Sequence, residues 1–265
     1  MVRFSFMLIE PPSRWGRSID EMFQLIRETG YTGVELNISQ ELSDRITEIQ
    51  AAAHSHNLQV VSLLTGLAYQ EGLCLSSSDK SIRKMTVDRL KDNLKTAEIL
   101  NSILVIGLLQ GFRSDEPDPF IANQRIISSL QLIAAEAESS GVDIVIEPIN
   151  HLQVGFNHTV KDVRKLLTAI GSSRFHPMID TIHMNIEETS MYEPIYDCGA
   201  TLRHVHFCES HGGLPGTGHL DFAGVLEALK LINYSYFVSV KIYRDVNLSD
   251  SVIKSMAYFK KLVAE

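Results

Sequence analysis

One pattern constrains this chain more than any other: a short apolar, β-branched run followed by a longer segment of helical periodicity, eight times over. The runs fall at residues 4–9, 33–38, 58–65, 103–109, 142–149, 176–184, 204–209 and 236–242. Strands separated by helices pair in parallel through crossovers, so the pattern predicts a parallel sheet. The runs are almost continuously hydrophobic instead of alternating, as expected where helices cover the sheet. Ser18 to Glu21 reads as a capping box at the start of the first helix, and Gly30 as its C-terminal stop. Later helices are predicted over 79–101, 120–140, 159–170, 222–232 and 250–263, with Gly141 and Gly171 just past two ends.

A closed barrel and an open doubly wound sheet both satisfy this alternation. Eight repeats within 265 residues favour closure. The first strand–helix turn also lacks the GxGxxG pattern of a dinucleotide-binding open sheet. The expected fold is α/β, a single (β/α)8 TIM barrel spanning residues 1–265 as one domain, with no linker composition to divide it.

The formal net charge of −8 opposes binding to a phosphate backbone, so no nucleic-acid partner is expected. Cys74, Cys198 and Cys208 are odd in number and contain no CxxC pair, which suits reduced thiols better than a disulfide framework. The apolar run at Phe4–Ile9 is stopped by Pro11 and Pro12 and is too short for a signal peptide. No stretch approaches the roughly 20 apolar residues of a membrane span. A cytoplasmic location without membrane contact is the expectation.

Barrel enzymes carry their chemistry at the C-terminal ends of the strands, so ionisable residues there were examined first. Glu147 ends the fifth run, Asp180 follows Pro177-Met-Ile179, His206 lies in the seventh run, and Lys241 ends the eighth. His183 stands three residues after Asp180. Two carboxylates and an imidazole suit a divalent cation such as Mn2+, Mg2+, Zn2+ or Co2+. Taken singly, each has a plain structural reading, as a helix cap or a hydrogen-bonded core histidine. Their conjunction decides the matter, because several ionisable groups at one barrel mouth are costly without a metal or mutual pairing. Glu35 near the end of the second run and Trp15 after the first are candidate substrate contacts, although a structural bond or plain packing would explain each equally well. Asp221 reads as a helix cap, and His54 and His56, two residues apart, as surface groups.

Four segments make the sequence recognisable: Ile179-Asp-Thr-Ile-His-Met-Asn-Ile-Glu-Glu188, Cys208-Glu-Ser-His-Gly-Gly-Leu-Pro-Gly-Thr-Gly218, Glu147-Pro-Ile-Asn150 and Gly33-Val-Glu-Leu36. On these the chain resembles the xylose-isomerase-like barrel superfamily, and within it the ketose 3-epimerases of the D-tagatose/D-psicose group. The resemblance implies one divalent metal ion, Mn2+ first, ligated by Glu147, Asp180 and His206. It also implies His183 on substrate hydroxyls and Glu147 as a catalytic base. The chemistry would be proton transfer through a metal-stabilised enediolate on a ketose or related hydroxy-ketone. A small carbohydrate substrate and a homo-dimer or homo-tetramer go with it.

The departures from that family pattern gather at the same place. The family's fourth ligand and second base, a Glu ending the eighth strand, is Lys241 here. Gly212 stands where the family has Arg, and His151 and Gln153 replace an Arg and a Glu. Three roles for Lys241 are open: a base of lowered pKa, an anchor for an anionic substrate group beside a three-ligand metal, or an ammonium bridging Glu147 and Asp180. With the last, the chain would be a catalytically impaired or non-enzymatic sugar-binding relative. A metal-dependent dehydratase on the same scaffold is a further alternative.

Overall fold

The computed structural model describes residues 2–244 and 247–264. Eight parallel strands close into one barrel in sequence order: β1 (Arg3–Leu8), β2 (Gly33–Asn37), β3 (Gln59–Leu64), β4 (Ile103–Ile106), β5 (Ile144–Ile146), β6 (Phe175–Asp180), β7 (His204–Phe207) and β8 (Phe237–Val240). β8 returns to pair with β1, Ser5 opposite Ser239. The expected (β/α)8 TIM barrel is the fold observed. Among the described residues eleven α-helices surround it: α1 (Ile19–Thr29), α2 (Gln40–Asp44), α3 (Ile46–Ser55), α4 (Leu67–Gln70), α5 (Lys80–Leu100), α6 (Pro119–Ser140), α7 (Val160–Ile170), α8 (Thr181–Glu187), α9 (Glu193–Cys198), α10 (Phe222–Leu231) and α11 (Leu248–Ala264).

Local chemistry sets the helix ends. The Ser18 side chain accepts from the Glu21 N–H while Glu21 reaches back to the Ser18 N–H, a complete capping box. Gly30 ends α1 at φ 117°, a left-handed conformation that a side chain would resist. Asp221 caps α10 by accepting from the Gly224 N–H. His56 pairs with Asp20 on the outer surface, well away from the barrel mouth.

Strand periodicity divides the core into two environments. Phe6, Val34, Leu36, Leu63, Leu104, Ile106, Ile144, Ile146, Ile179, Val205 and Val238 face outward and join the core shared with the helices. Inside the barrel, Ile103, Val105, Val145 and Met178 make a separate apolar cluster, with Leu64 against it. A polar set also fills the interior, with Ser5, Glu35, Ser62, His204, His206 and Ser239 all fully or almost fully buried. The same alternation aims Glu147 inward with Val145, Asp180 with Met178, His206 with His204, and Lys241 with Ser239.

Several expected runs overshoot their strands at the C-terminal end, two of them at site residues. The run 142–149 yields only a three-residue strand, and Glu147 onward is loop. Residues 181–184, read as the tail of a strand, instead open α8. Asp180 caps that helix by accepting from the Ile182 N–H. Among the described residues no helix is long and apolar enough to cross a membrane.

Candidate active site

Glu147, Asp180, His183, His206 and Lys241 meet at the C-terminal mouth of the barrel. His206 Nδ1 lies 3.2 Å from Glu147 Oε1 and 3.5 Å from Asp180 Oδ2. His183 Nε2 approaches the same two oxygens at 3.7 and 3.8 Å. Lys241 Nζ sits 2.6 Å from Asp180 Oδ2 and 3.5 Å from Glu147 Oε1. Three side chains therefore converge on one pair of carboxylate oxygens. Beside them opens a cavity of about 290 Å³, near the lower end of small-ligand pockets. Glu147, His183, Lys241 and Gln153 are among its lining residues, and among the described residues Glu147 is the only carboxylate on its wall.

The two histidines have different jobs, which their hydrogen bonds assign. Asn150 Oδ1 accepts from the Leu152 N–H, leaving its Nδ2 to donate to His183 Nδ1 at 2.8 Å. A neutral imidazole accepting at Nδ1 carries its proton on Nε2. His183 Nε2 is buried without a hydrogen-bond partner, and it therefore presents a donor at the site, not a ligand lone pair. Burial also holds His183 below the usual histidine range, which favours the neutral ring. For His206 the order is reversed. Its Nε2 faces Glu35 Oε1 at 3.1 Å, so Nδ1 supplies the lone pair wherever a cation is bound. Without one, burial depresses His206 but Glu35, Asp180 and Glu147 outweigh it and hold the ring well above the usual range, as an imidazolium.

The carboxylates and the lysine hold each other charged. Burial alone would raise the Glu147 and Asp180 carboxyls, yet the Lys241 ammonium and the adjacent histidines pull both below the usual range. Burial would likewise lower Lys241, and Asp180 and Glu147 instead hold it well above the usual lysine range. These contacts oppose a lowered pKa at Lys241. Of the three sequence readings, the ammonium bridge is the arrangement seen.

Two expected substrate contacts do not line this cavity. Glu35 lies mid-strand in β2, one layer below the mouth and fully buried, where its two oxygens accept from His206 and His204. It contributes to the barrel interior and does not reach the cavity. Trp15 lines a neighbouring cavity with Ile9 and Tyr243 and not the one beside Glu147; its ring is stacked on Phe23 at 6.3 Å between centroids and its Nε1 donates to the Glu10 carbonyl. The loop that carries it folds back onto α1, so only 4% of its surface is exposed.

Sequence reading overlooked several positioning groups. Gln110 Nε2 donates to the Glu147 carbonyl and steadies the start of that loop. Gly107 leaves room for the Glu147 carboxylate, since a Cβ there would stand 2.6 Å from Oε2. Glu209 accepts from the backbone N–H groups of Ser210, Gly216 and Leu220 and gathers the glycine-rich loop after β7. Thr181 Oγ1 ties the ends of β6 and β7 through the Cys208 backbone. The carboxylate before a glycine-rich loop was the one visible signal among these.

The donor chemistry fits a single divalent ion: His206 Nδ1 lies 3.2 Å from Glu147 Oε1 and 3.5 Å from Asp180 Oδ2. Among the described residues, Glu147, Asp180 and His183 form one close group of potential donors, and Glu35, His204 and His206 another. Because the His183 Nε2 proton faces the carboxylates, His206 Nδ1 is the imidazole nitrogen with a lone pair to add to them.

The family model for the xylose isomerase-like TIM barrel matches residues 23–262. Over 212 residues the chain is 34% identical to the L-ribulose 3-epimerase of Methylomonas sp. strain DH-1, covering 77% of this chain and 71% of that one. It is 28% identical to the 3-dehydro-D-guloside 4-epimerase of Escherichia coli K12, covering 83% of this chain and 86% of the relative. In three dimensions it superposes on the D-psicose 3-epimerase of Clostridium cellulolyticum H10, solved with D-tagatose, at a TM-score of 0.83 and 22% identity over the full length of both chains. The chain belongs to the xylose isomerase-like TIM barrel family, among relatives that are sugar epimerases.

Proposed function

We propose that this protein is a sugar isomerase or epimerase that moves a proton on a ketose or related hydroxy-ketone, with Glu147 as the base. The observation that carries the proposal is the placing of Glu147: the one carboxylate on the cavity wall, within the cation cluster and opposite an unpartnered imidazole donor. A carbon beside a carbonyl becomes acidic only if the oxygen that gains charge is stabilised. In this site His183 Nε2–H is the neutral donor for such an oxygen, and the cations clustered on Asp180 and Glu147 supply positive charge. Glu147 takes the proton, and its carboxylate is kept ionised and ready by Lys241 and His206. The apolar wall formed by Met7, Leu64, Val105, Leu108 and Ile149 excludes water from that transfer.

Glu147, Asp180 and His206 are the residues that would hold one divalent ion, Mn2+ by preference, with Mg2+, Co2+ and Zn2+ as alternatives. Such an ion would supply Lewis-acid stabilisation of adjacent substrate oxygens. A second reading, an impaired or purely sugar-binding relative, is favoured by one observation, the close Lys241–Asp180 pair. The test separates the two. Solvent deuterium should enter a ketose incubated with the wild type and should not with Glu147→Gln. Ketose binding without any exchange in the wild type would support the second reading, and exchange persisting in Glu147→Gln would exclude Glu147 as the base.

A further inference from the structure

The acceptors of the Lys241 ammonium are the same atoms that a divalent ion would need. Nζ lies 2.6 Å from Asp180 Oδ2 and 3.5 Å from Glu147 Oε1. Those are also the two oxygens that His206 Nδ1 approaches, and hence the two carboxylate donors of the candidate triad. An ammonium has three donors and no lone pair, so it cannot join a coordination shell and repels a cation held beside it. Lys241 is also a positive charge that the chain itself supplies to Glu147 and Asp180. Lys241 differs from Asp180 in one respect: its side chain is 16% exposed against 0%, and it lines the cavity. The ammonium therefore has an exit that the Asp180 carboxylate does not.

We propose that Lys241 is the resident cation of this site: its ammonium and a divalent ion compete for Glu147 Oε1 and Asp180 Oδ2, and an ion enters only as the lysine turns out into the cavity. The site is then held together by the chain's own charge when metal is scarce. In the ion-bound form the freed ammonium lies on the cavity wall, where it faces the substrate. The inference rests on the reading of Glu147, Asp180 and His206 as the ion's donors. It does not depend on which proton-transfer reaction the site performs.

The experiment compares the full chain with Lys241→Met, which keeps an apolar stem of similar reach and removes the charge. Calorimetric titration with Mn2+ should show at least tenfold tighter binding in the variant. The wild type should melt at the same temperature with and without EDTA, whereas the variant should lose stability in EDTA and regain it on adding Mn2+. A lysine with only a packing role would lower stability in both conditions alike, without rescue. A third arm uses the wild type alone and stands even if the variant fails to fold. The 15N-labelled lysine ammonium signal assigned to Lys241 should be present in metal-free protein and shift as Mg2+ is titrated in. Equal Mn2+ affinity in the two proteins, absence of ion binding to both, or an unmoved ammonium signal during Mg2+ binding would each overturn the inference. Deuterium exchange into a ketose scores the proposed reaction separately, so failure of the cation exchange and failure of the enzyme reading are distinguishable.

Discussion

Replacing Glu35 by Gln tests whether the polar interior of the barrel is an energetic element or a passive filling. Glu35 Oε1 lies 3.1 Å from His206 Nε2 and Oε2 lies 3.3 Å from His204 Nε2, with all three side chains essentially unexposed. At an effective dielectric constant near 20, a unit charge pair at the 3.1 Å separation is worth about 5 kcal/mol. Removing the carboxylate also removes its own desolvation cost, which is several kcal/mol. Glutamine still offers one oxygen to one imidazole, but its amide turns a donor toward the other. Breaking one partner of a buried pair costs about 3–5 kcal/mol, and the retained acceptor points to the lower end. The expected loss is therefore about 3 kcal/mol, a fall in Tm of about 6 °C for a chain of this size. Guanidinium chloride melts of Glu35→Gln, His206→Asn and the double variant at neutral pH would measure it, with a coupling of about 1 kcal/mol or more expected between the two positions. A loss under about 1 kcal/mol, or additive single effects, would refute the argument that His206 is held as an imidazolium by Glu35.

Other outcomes follow from the same geometry. Gly107→Ala would bring a Cβ to 2.6 Å from Glu147 Oε2 and 2.7 Å from Ile149, so kinetics should show a fall of tenfold or more in any proton transfer, while melts show a cost of about 1–3 kcal/mol. Ser18→Ala removes one half of the α1 capping box and should lower stability by about 1 kcal/mol in denaturant melts, leaving ketose binding unchanged. At Asp143, burial raises the carboxyl, but bonds from His176, Arg203 and Arg174 outweigh it and hold the group well below its ordinary value. A depressed folded-state pKa adds stability that is present above the unfolded pKa and lost as pH falls through the folded one. Stability should therefore drop from about pH 5 toward about pH 3, and Asp143→Asn should flatten part of that slope in melts recorded across the range.

Much of this architecture was legible because it follows from periodicity. All eight runs became strands, and the polar residues interrupting their ends at 147, 180, 206 and 241 came together at one mouth. Parity along a strand states which side a residue faces, but it carries no information about depth. Glu35 has the inward parity of a site residue, yet β2 continues to Asn37 and leaves it one layer down. Trp15 failed for a different reason: it lies in a loop, and the direction in which a loop folds depends on Phe23 and the Glu10 carbonyl, contacts that no local pattern announces. The tail of the sixth run became α8 because the Asp180 side chain captures the Ile182 N–H, a cap hidden within an apolar stretch. The role of Lys241 could not be chosen from sequence because it depends on atoms supplied by two other strands.

The polar half of the barrel interior is assembled from the two ends of the chain. Ser5 meets Ser239 at 2.6 Å, β1 pairs with β8, and the ion-pair cluster draws on residues as far apart as 35 and 206 or 147 and 241. The apolar cluster, by contrast, comes from β3 to β6 alone. The two halves therefore form at different stages of assembly: the apolar cluster needs only β3 to β6, whereas the carboxylates of Glu147 and Asp180 meet their ammonium only when β8 is in place. Until β8 pairs with β1, that first strand also keeps an open edge. A chain folded only through β7 would hold its apolar cluster but have neither barrel closure nor the Lys241 ion pairs.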